Sequence, residues 1–271
     1  MNQKAKDLFK ITLIYLLALV VAVVTAIYYP SENALVRVGI ADFVATIVVF
    51  IFSIIYKNSS IYDPYWSVVP VSIVLYWMIN SGSILEMDPL KFIMAGLIII
   101  WGIRLTVNWL LRWNNLEDED WRYKDIKNKT GIFYWPVSFL GIHLMPTIWV
   151  FMGLVPVYYT LYSPDEITQF IAVFAIAITV FAIWLEATAD NQLRRHLITR
   201  TNKDERMKKG VWAIIPYPNY VGEMLFWWGL YLFALAFNTE NWWTIFGPLS
   251  ITLLFLFISI PMMKKRLANK K

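Results

Sequence analysis

Long uninterrupted apolar runs are the feature that most restricts how this 271-residue chain can fold. A helix needs about 20 apolar residues to cross the hydrocarbon core of a bilayer. Because lipid offers no hydrogen bonds to the backbone, successive runs of this kind predict an all-α, polytopic transmembrane bundle. The sequence predicts about seven or eight spans, at residues 11–29, 34–56, 65–80, 90–111, 133–159, 169–188, 219–237 and 242–261.

Two of these spans are irregular in sequence. Residues 65–80 are fewer than the roughly 20 that a bilayer core requires, so we expect this span to be tilted or partly enclosed by protein. The span at 133–159 contains Pro136, Pro146 and Pro156. It fits either one long kinked span or a span followed by a re-entrant piece, since neighbouring groups can bond the carbonyls that proline frees.

The basic residues are distributed unequally between the two sides of the predicted bundle. With eight spans, both termini share one side with the basic loops at 112–130 and 194–209 and with the basic tail after Met263. The other side is mainly acidic, and its basic residues are Arg37 and Lys91 at the ends of spans. An excess of Lys and Arg marks cytosolic loops, so both termini are predicted to be cytosolic. The net charge of +5 is explained by these loops, and no nucleic-acid partner is predicted.

The composition excludes several kinds of chemistry. The chain has no cysteine, which rules out disulfides, thiolate catalysis and cysteine-ligated metals. Its two histidines, His143 and His196, leave little for a metal site, and no metal ligands are predicted. His143 lies in the proline-rich apolar run and is interpreted as a hydrogen-bonded core residue. The sequence has no G-x-G-x-x-G after a strand, no P-loop and no G-x-S-x-G, so soluble-type nucleotide sites and the serine-hydrolase elbow have no support.

The stretch from Gly210 to Gly229 carries polar groups into an apolar run. Asn219 and Glu223 are four residues apart, and on a helix they share one face. Polar groups entering a membrane segment are expensive and typically functional; the alternative is a solvated helix start at the interface. Two prolines, at 216 and 218, favour a helix that begins directly after them. Gly222 and Gly229 are seven residues apart, so another helix or a flat ligand could approach that face closely.

Two further polar stripes repeat at every fourth residue. The first comprises Arg104, Asn108 and Arg112, and a buried Arg104 would need an anion or several acceptors. The second contains Glu186 and Asp190, followed by Arg194, whose acids would need a partner, a proton or a bound donor group. The structural alternatives are snorkelling basic side chains and ordinary pairing at a solvated helix end.

Two isolated acids complete the set of polar candidates. Asp63 precedes Pro64 where the chain re-enters the membrane, and Asp-Pro is also an ordinary turn. Asp42, near the outer end of the second span, is open to the same two interpretations.

Several motifs resemble those of the steroid 5-alpha-reductase-like membrane proteins, most closely their bacterial branch. Over roughly residues 40–262, the matching elements are ADNQL at 189–193, GVW at 210–212, PNYVGE at 218–223, FWWG at 226–229, WGxRLT at 101–106, EDxRY at 119–123 and DxxWS at 63–67. The P-N-Y-x-G-E element is specific to the superfamily rather than to one reaction.

This resemblance implies an all-helical membrane reductase that uses cytosolic NADPH to reduce an activated C=C bond in a lipid-like steroid, isoprenoid or other enone. By the resemblance, Asn219, Glu223 and Asp190 would contact the dinucleotide, with Arg104 as a phosphate or amide contact. The other polar residues predicted to bind the cofactor are Asn108, Arg122, Tyr123, Glu186, Arg194 and Tyr220. For the donor that polarises the substrate carbonyl, we predict Tyr65, Asp63 or Asp42.

Two departures from the family pattern keep other functions open. The family usually has Ser-Arg-His before Pro-Asn-Tyr, where this chain has Ile215, Pro216 and Tyr217. Relatives also continue into a tyrosine-containing tail, whereas this sequence stops at Lys271, so a more open or a degenerate site is expected. The alternatives are an S-adenosylmethionine-dependent methyltransferase, because isoprenylcysteine methyltransferases share a similar element, and a non-catalytic homologue that binds lipid or scaffolds a complex.

The predicted organisation is simple. Residues 1–33 form an N-terminal transmembrane helix, and residues 34–271 form the reductase-like membrane domain, with which that helix makes one structural unit. The first apolar run is too long for a removable signal peptide and has no small-residue cleavage pattern. A multi-pass protein of a bacterial inner membrane, in contact with membrane lipids, is therefore expected. The sequence leaves the substrate, the preferred cofactor and the oligomeric state open.

Overall fold

The computed structural model describes residues 2–164, 166–202 and 205–268, and every regular element in these ranges is helical. Lys203 of the basic loop and residues 269–271 of the basic tail lie outside the described residues. The α-helices are α1 Gln3–Tyr28, α2 Ala34–Ile55, α3 Tyr65–Asn80, α4 Pro89–Arg112, α5 Trp121–Thr130, α6 Tyr134–Ser138, α7 Met145–Tyr162, α8 Gln169–Thr199, α9 Val211–Ile214, α10 Pro218–Phe237, α11 Phe246–Leu254 and α12 Ile260–Ala268. Between them lie 3₁₀ segments at Ser59–Tyr62, Ile84–Glu86, Gly131–Phe133 and Thr239–Ile245, and π segments at Phe139–Leu144 and Phe255–Ser259.

Within the described residues, 7 helical runs are long and apolar enough to cross a membrane. They comprise α1, α2, α4, the run Trp121–Tyr162, α8, α10 and the run Thr239–Arg266. The protein is thus an integral, multi-pass helical membrane protein, as the sequence predicted. With 16 residues, α3 is not among the seven.

Helix starts follow local chemistry that the sequence also contains. Asn33 caps α2, and its Oδ1 accepts a hydrogen bond of 2.9 Å from the amide of Leu35. Tyr217 has a φ of 53°, in the left-handed region, and Pro218 takes the first position of α10. The prediction that a helix starts directly after the two prolines is confirmed.

The proline-rich run is one continuous helical segment, so the structure favours a single span over a re-entrant piece. It contains the π segment Phe139–Leu144, which holds the fully buried His143. Nδ1 of His143 is 3.0 Å from the carbonyl oxygen of Ser138, and Nε2 of His143 is 3.0 Å from Oγ of Ser53. His143 is accordingly a hydrogen-bonded core residue, as interpreted from the sequence.

The chain divides into two compact units. The first unit comprises Met1–Trp77 and Gly102–Phe151, and the second comprises Met78–Trp101 and Met152–Lys271. The predicted N-terminal helix is part of the first unit, where α1 packs against α2. The division falls inside the region that the sequence treats as one domain, and it passes through α3, α4 and α7.

The core of the first unit is formed by one face of α1, one face of α2 and the segment leading into α3. Its buried members are Ile11, Ile14, Ala18, Ala45, Val49, Ile61, Tyr62, Tyr65, Trp113 and Leu116. In the second unit α10 packs closely along α8 because two glycines leave room. A Cβ on Gly222 would lie 2.9 Å from the carbonyl oxygen of Ala182, and a Cβ on Gly229 would lie 2.1 Å from Oγ1 of Thr179. Of the two partners expected for the face with Gly222 and Gly229, another helix or a flat ligand, the structure has a helix there, α8.

Candidate functional site

A carboxylate and a phenol meet inside the first unit. The hydroxyl of Tyr65, the first residue of α3, donates to Oδ1 of Asp42 at 2.7 Å and lies 3.0 Å from that residue's carbonyl oxygen. Asp42 is only 5% exposed and Tyr65 only 3% exposed. A buried carboxylate requires a donor, and Tyr65 supplies one. The structure thus brings together two of the three residues predicted to polarise a substrate.

This pair lines a cavity of about 210 Å³ between α1, α2 and α3. Most of the lining is aliphatic: Leu16, Ala18, Leu19, Ala22, Val23, Ala26, Val38, Ala41, Ala45, Val68, Val69 and Ile73. The other polar members of the lining are Thr12, Tyr15, Ser72 and Tyr76. An apolar pocket with a few placed polar groups is the usual form of a small-molecule site.

Asp63 lies elsewhere in the first unit, and it is absent from the lining of this cavity. Its Oδ1 accepts a hydrogen bond of 2.6 Å from the hydroxyl of Tyr123. Arg122 pairs with Asp120, with distances of 2.8 Å and 3.1 Å between the guanidinium and the carboxylate. Burial raises the pKa of Asp63 to about 6, and the charge of Arg122 acts in the opposite direction. Asp63 is thereby grouped with two residues that were predicted to bind the cofactor.

The polar stripe of α4 is present as predicted. Arg104 and Asn108 are partly buried, Arg112 is exposed, and all three lie in one helix at four-residue spacing. Nε of Arg112 donates to the carbonyl oxygen of Asn108 at 3.2 Å. These residues belong to the first unit.

Glu223 lies within the second unit, where two indoles hold its carboxylate. Its Oε1 accepts from Nε1 of Trp227 at 2.9 Å, and its Oε2 accepts from Nε1 of Trp101 at 3.1 Å. The ring of Trp101 in turn stacks on Phe226 with centroids 4.5 Å apart and planes 9° apart. Glu223 is only 4% exposed, so its carboxyl group is buried and is hydrogen-bonded by two neutral donors. Sequence reasoning missed Trp101 as its partner.

Asn219 occupies the first turn of α10. Its Oδ1 is buried and has no hydrogen-bond partner among the residues that the structure describes. A buried acceptor without a donor typically costs about 1–3 kcal/mol. On either side of Asn219 in the chain, the rings of Tyr217 and Tyr220 stack with centroids 5.9 Å apart. Among the described residues, Oδ1 of Asn219 is thus a buried acceptor beside two stacked aromatic rings.

The acids of α8 lie at the predicted four-residue spacing. Glu186 is buried, and its Cβ lies next to Gly222, where a Cβ built on the glycine would be 2.8 Å away. Asp190 is partly buried. Arg194 donates from Nη2 to Oδ1 of Asn191 at 3.2 Å. The segment that precedes α10 is tied to the same helix, since the indole of Trp212 donates to the carbonyl oxygen of Ala189 at 3.0 Å.

Residues 49–271 match the protein family described as "Protein of unknown function (DUF1295)". The chain belongs to this family. It is linked to steroid 5-alpha-reductase-like proteins, in agreement with the motifs on α4, α8 and α10. The chain is also similar to an uncharacterized protein of the yeast Schizosaccharomyces pombe, at 25% identity over 251 residues that cover 84% of this chain and 73% of the yeast protein. No solved structure matches the chain.

Proposed function

We propose that this protein is an integral-membrane NAD(P)H-dependent reductase of an activated C=C bond in a lipid-like enone. The observation that carries the proposal is the Asp42–Tyr65 pair in an otherwise largely aliphatic cavity of about 210 Å³. Support also comes from the steroid-reductase-like motifs and from the link between that group of proteins and the family to which the chain belongs.

The cavity suits a ligand that is apolar apart from one carbonyl group. Aliphatic side chains would accommodate the hydrocarbon, and the Tyr65 hydroxyl would donate to the carbonyl oxygen. Negative charge develops on this oxygen when the conjugated double bond accepts a hydride. A fixed donor is worth far more in a low-dielectric site than in water. Asp42 holds the phenol in place and is the second group able to exchange a proton with the ligand.

The residues of the second unit fit a dinucleotide in one respect that can be tested. The buried Oδ1 of Asn219 receives no hydrogen bond from the part of the chain that the structure describes, and a carboxamide NH₂ of the kind that nicotinamide carries would satisfy it. Asp190 and Glu223 would contribute as the resemblance implies, the latter through lone pairs not used by the two indoles. When bound, the dinucleotide supplies the hydride; the protein orients the substrate and polarises its carbonyl.

The proposal is tested first by binding. We expect NADPH or NADH at about 100 times its dissociation constant to stabilise the detergent-purified protein by roughly 2.7 kcal/mol. Asn219→Ala should remove this shift, whereas Asn128→Ala, an exposed asparagine on α5, should retain it. A shift with S-adenosylmethionine alone would replace the reductase with a methyltransferase. No shift with any of the three would replace it with a non-catalytic lipid-binding homologue.

Turnover is tested next, as oxidation of NADPH in the presence of a steroid enone, cholestenone, and an isoprenoid enone, β-ionone. A saturated ketone product formed in equal amount to the NADPH consumed would establish the reaction class. NADPH binding without consumption by either enone would contradict the proposed reaction. The membrane that carries the protein, expected to be a bacterial inner membrane, is tested separately by fractionation of the source cells.

A further inference from the structure

Reduction of an enone consumes a proton as well as a hydride, and the Asp42–Tyr65 pair is buried within the first unit. We infer that Thr46, Thr147 and Tyr62 form a hydrogen-bonded relay that returns a proton to Tyr65 after each turnover. This inference rests on the proposed reductase function, and it assigns roles to three residues that the sequence motifs do not mark.

The relay is a continuous line of hydroxyl groups. Tyr62 Oη lies 2.7 Å from Oγ1 of Thr147, which lies 2.9 Å from Oγ1 of Thr46. Oγ1 of Thr46 donates to Oη of Tyr65 at 3.2 Å, and Tyr65 donates to Asp42 at 2.7 Å. Every member is at most 5% exposed. These distances are hydrogen bonds, and the four hydroxyl groups can each donate and accept, which proton transfer along a chain requires.

The hydroxyl hydrogens can all point in one direction. Tyr62 can donate to Thr147, Thr147 to Thr46, Thr46 to Tyr65, and Tyr65 to Asp42, with one hydrogen used at each step. Thr147 has an alternative acceptor, the carbonyl oxygen of His143 at 2.8 Å. Because a hydroxyl hydrogen rotates to suit its partners, Thr147 can alternate between these two acceptors. The line is therefore complete in one orientation and interrupted in the other.

The far end of the line lies at the connection between α2 and α3. Tyr62 ends the 3₁₀ segment Ser59–Tyr62 and is followed by Asp63, which is only partly buried. This connection lies outside the seven candidate spans. Thr46 is four residues from Asp42 on α2, so these two members of the line share one face of that helix, and Asp42 lines the cavity.

The proton balance explains why such a line is needed. The β-carbon gains a hydride with its electron pair, the C=C π electrons shift toward the carbonyl, and the carbonyl oxygen takes the proton of Tyr65. The resulting enol isomerises to the saturated ketone without another reactant. Tyr65 then regains a proton from Thr46, Thr46 from Thr147, and Thr147 from Tyr62. Tyr62 takes its replacement proton from bulk water that reaches the α2–α3 connection.

Other buried threonines provide a contrast. The hydroxyls of Thr160 and Thr179 donate to the carbonyl oxygens four residues earlier in their own helices, at 2.9 Å and 2.7 Å. Threonine in a helix commonly makes this bond. Thr147 also makes this bond, to His143, but its hydroxyl lies within hydrogen-bond distance of Tyr62 and Thr46 as well. The hydroxyl of Thr46 joins two other segments, at Thr147 and at Tyr65. Thr160 is thus a matched control for removing a buried hydroxyl outside the relay.

The test measures NADPH oxidation with cholestenone and β-ionone by the full-length protein in detergent. Thr46→Val and Thr147→Val should each lower kcat by about 10²-fold, the lower end of the range of general acid–base effects, and leave KM nearly unchanged. Their solvent deuterium isotope effect on kcat should exceed that of the wild type, because proton return becomes rate-limiting. Thr46→Ser, which keeps the hydroxyl, and Thr160→Val should both behave like the wild type.

The outcomes separate the relay from the reaction itself. Wild-type kcat and isotope effect in both valine variants would overturn the relay while the reductase function stands. A loss of activity in Thr46→Val with an unchanged isotope effect, not rescued in Thr46→Ser, would indicate packing damage and also overturn it. If the wild type oxidises no NADPH with either enone, both the relay and the proposed function fail.

Discussion

The two units of the protein use buried polar groups in opposite ways. In the first, the carboxylate of Asp42 is bonded by a phenol, and that phenol continues into a line of hydroxyls beside a cavity. In the second, the carboxylate of Glu223 is bonded by two indoles, which donate but cannot accept or pass on a proton. The first arrangement suits proton exchange with a ligand, and the second holds a carboxyl group in place within a rigid aromatic setting.

The largest effect is expected at the phenol. Tyr65→Phe should lower kcat for enone reduction by about 10²–10³-fold, or roughly 2.7–4 kcal/mol of transition-state stabilisation, as for loss of a fixed donor to a developing oxyanion. Steady-state NADPH oxidation measures this. Tyr15 lines the same cavity, and its hydroxyl donates to the carbonyl oxygen of Ile61. Tyr15→Phe, which removes that hydroxyl, should keep most of the activity. Equal rates in the two variants would contradict the role of Tyr65.

The next effect is expected in the second unit, on stability. Glu223→Gln should destabilise the protein by roughly 1.5–3 kcal/mol, because the amide NH₂ would face one indole N–H and leave buried donors unpaired. The reduction in melting temperature in detergent measures it. Glu240→Gln, at an exposed position, should melt like the wild type. A wild-type melting temperature in Glu223→Gln would show that the two indole bonds contribute little.

A smaller effect is expected where the two helices meet. Gly222→Ala should cost about 1–2 kcal/mol, since its Cβ would lie 2.9 Å from the backbone oxygen of Ala182 and would overpack the contact between α8 and α10. Gly96→Ala is the matched control, because a Cβ there meets nothing within 4 Å and alanine favours the helix. Thermal unfolding of the two variants should therefore change in opposite directions. An unchanged melting temperature in Gly222→Ala would mean that α8 and α10 can move apart to admit the methyl group without a measurable loss of stability.

The smallest effect concerns Asp63 and pH. Burial raises its folded-state pKa to about 6, whereas an unfolded aspartate titrates near 4. The folded state binds the proton more tightly between these values, so stability should fall as pH rises from about 4 to about 6. The loss should be up to about 1 kcal/mol, since the side chain is only partly buried. The melting temperature should depend less on pH across this interval in Asp63→Asn than in the wild type. In Asp125→Asn, which changes an exposed partner of Lys129, the dependence on pH should equal that of the wild type. An equal dependence in wild type and Asp63→Asn would rule the effect out.

The boundaries of most long apolar helices could be predicted from the sequence because hydropathy and helix punctuation are local properties, whereas α5, Trp121–Thr130, lies in a stretch predicted to be a charged loop. The span predicted at 65–80 is Tyr65–Asn80, and the helix predicted after the prolines begins at Pro218. The long helix α8 extends to Thr199, beyond the predicted end at residue 188, because its polar last turns are helical without being apolar. Polarity marks where a span leaves the membrane, not where a helix ends.

The sequence alone determined that this is a multi-pass helical protein and which helices carry polar groups, because apolar length and four-residue spacing are fixed by a helix's own geometry. Only the tertiary structure decided which of those groups meet. Asp42 bonds to Tyr65, whereas Asp63 bonds to Tyr123 instead. Thr46 contacts Thr147, which is 101 residues away in the chain, and Glu223 contacts Trp101, which is 122 residues away. Such partners are selected by the packing of distant segments, which no local pattern encodes.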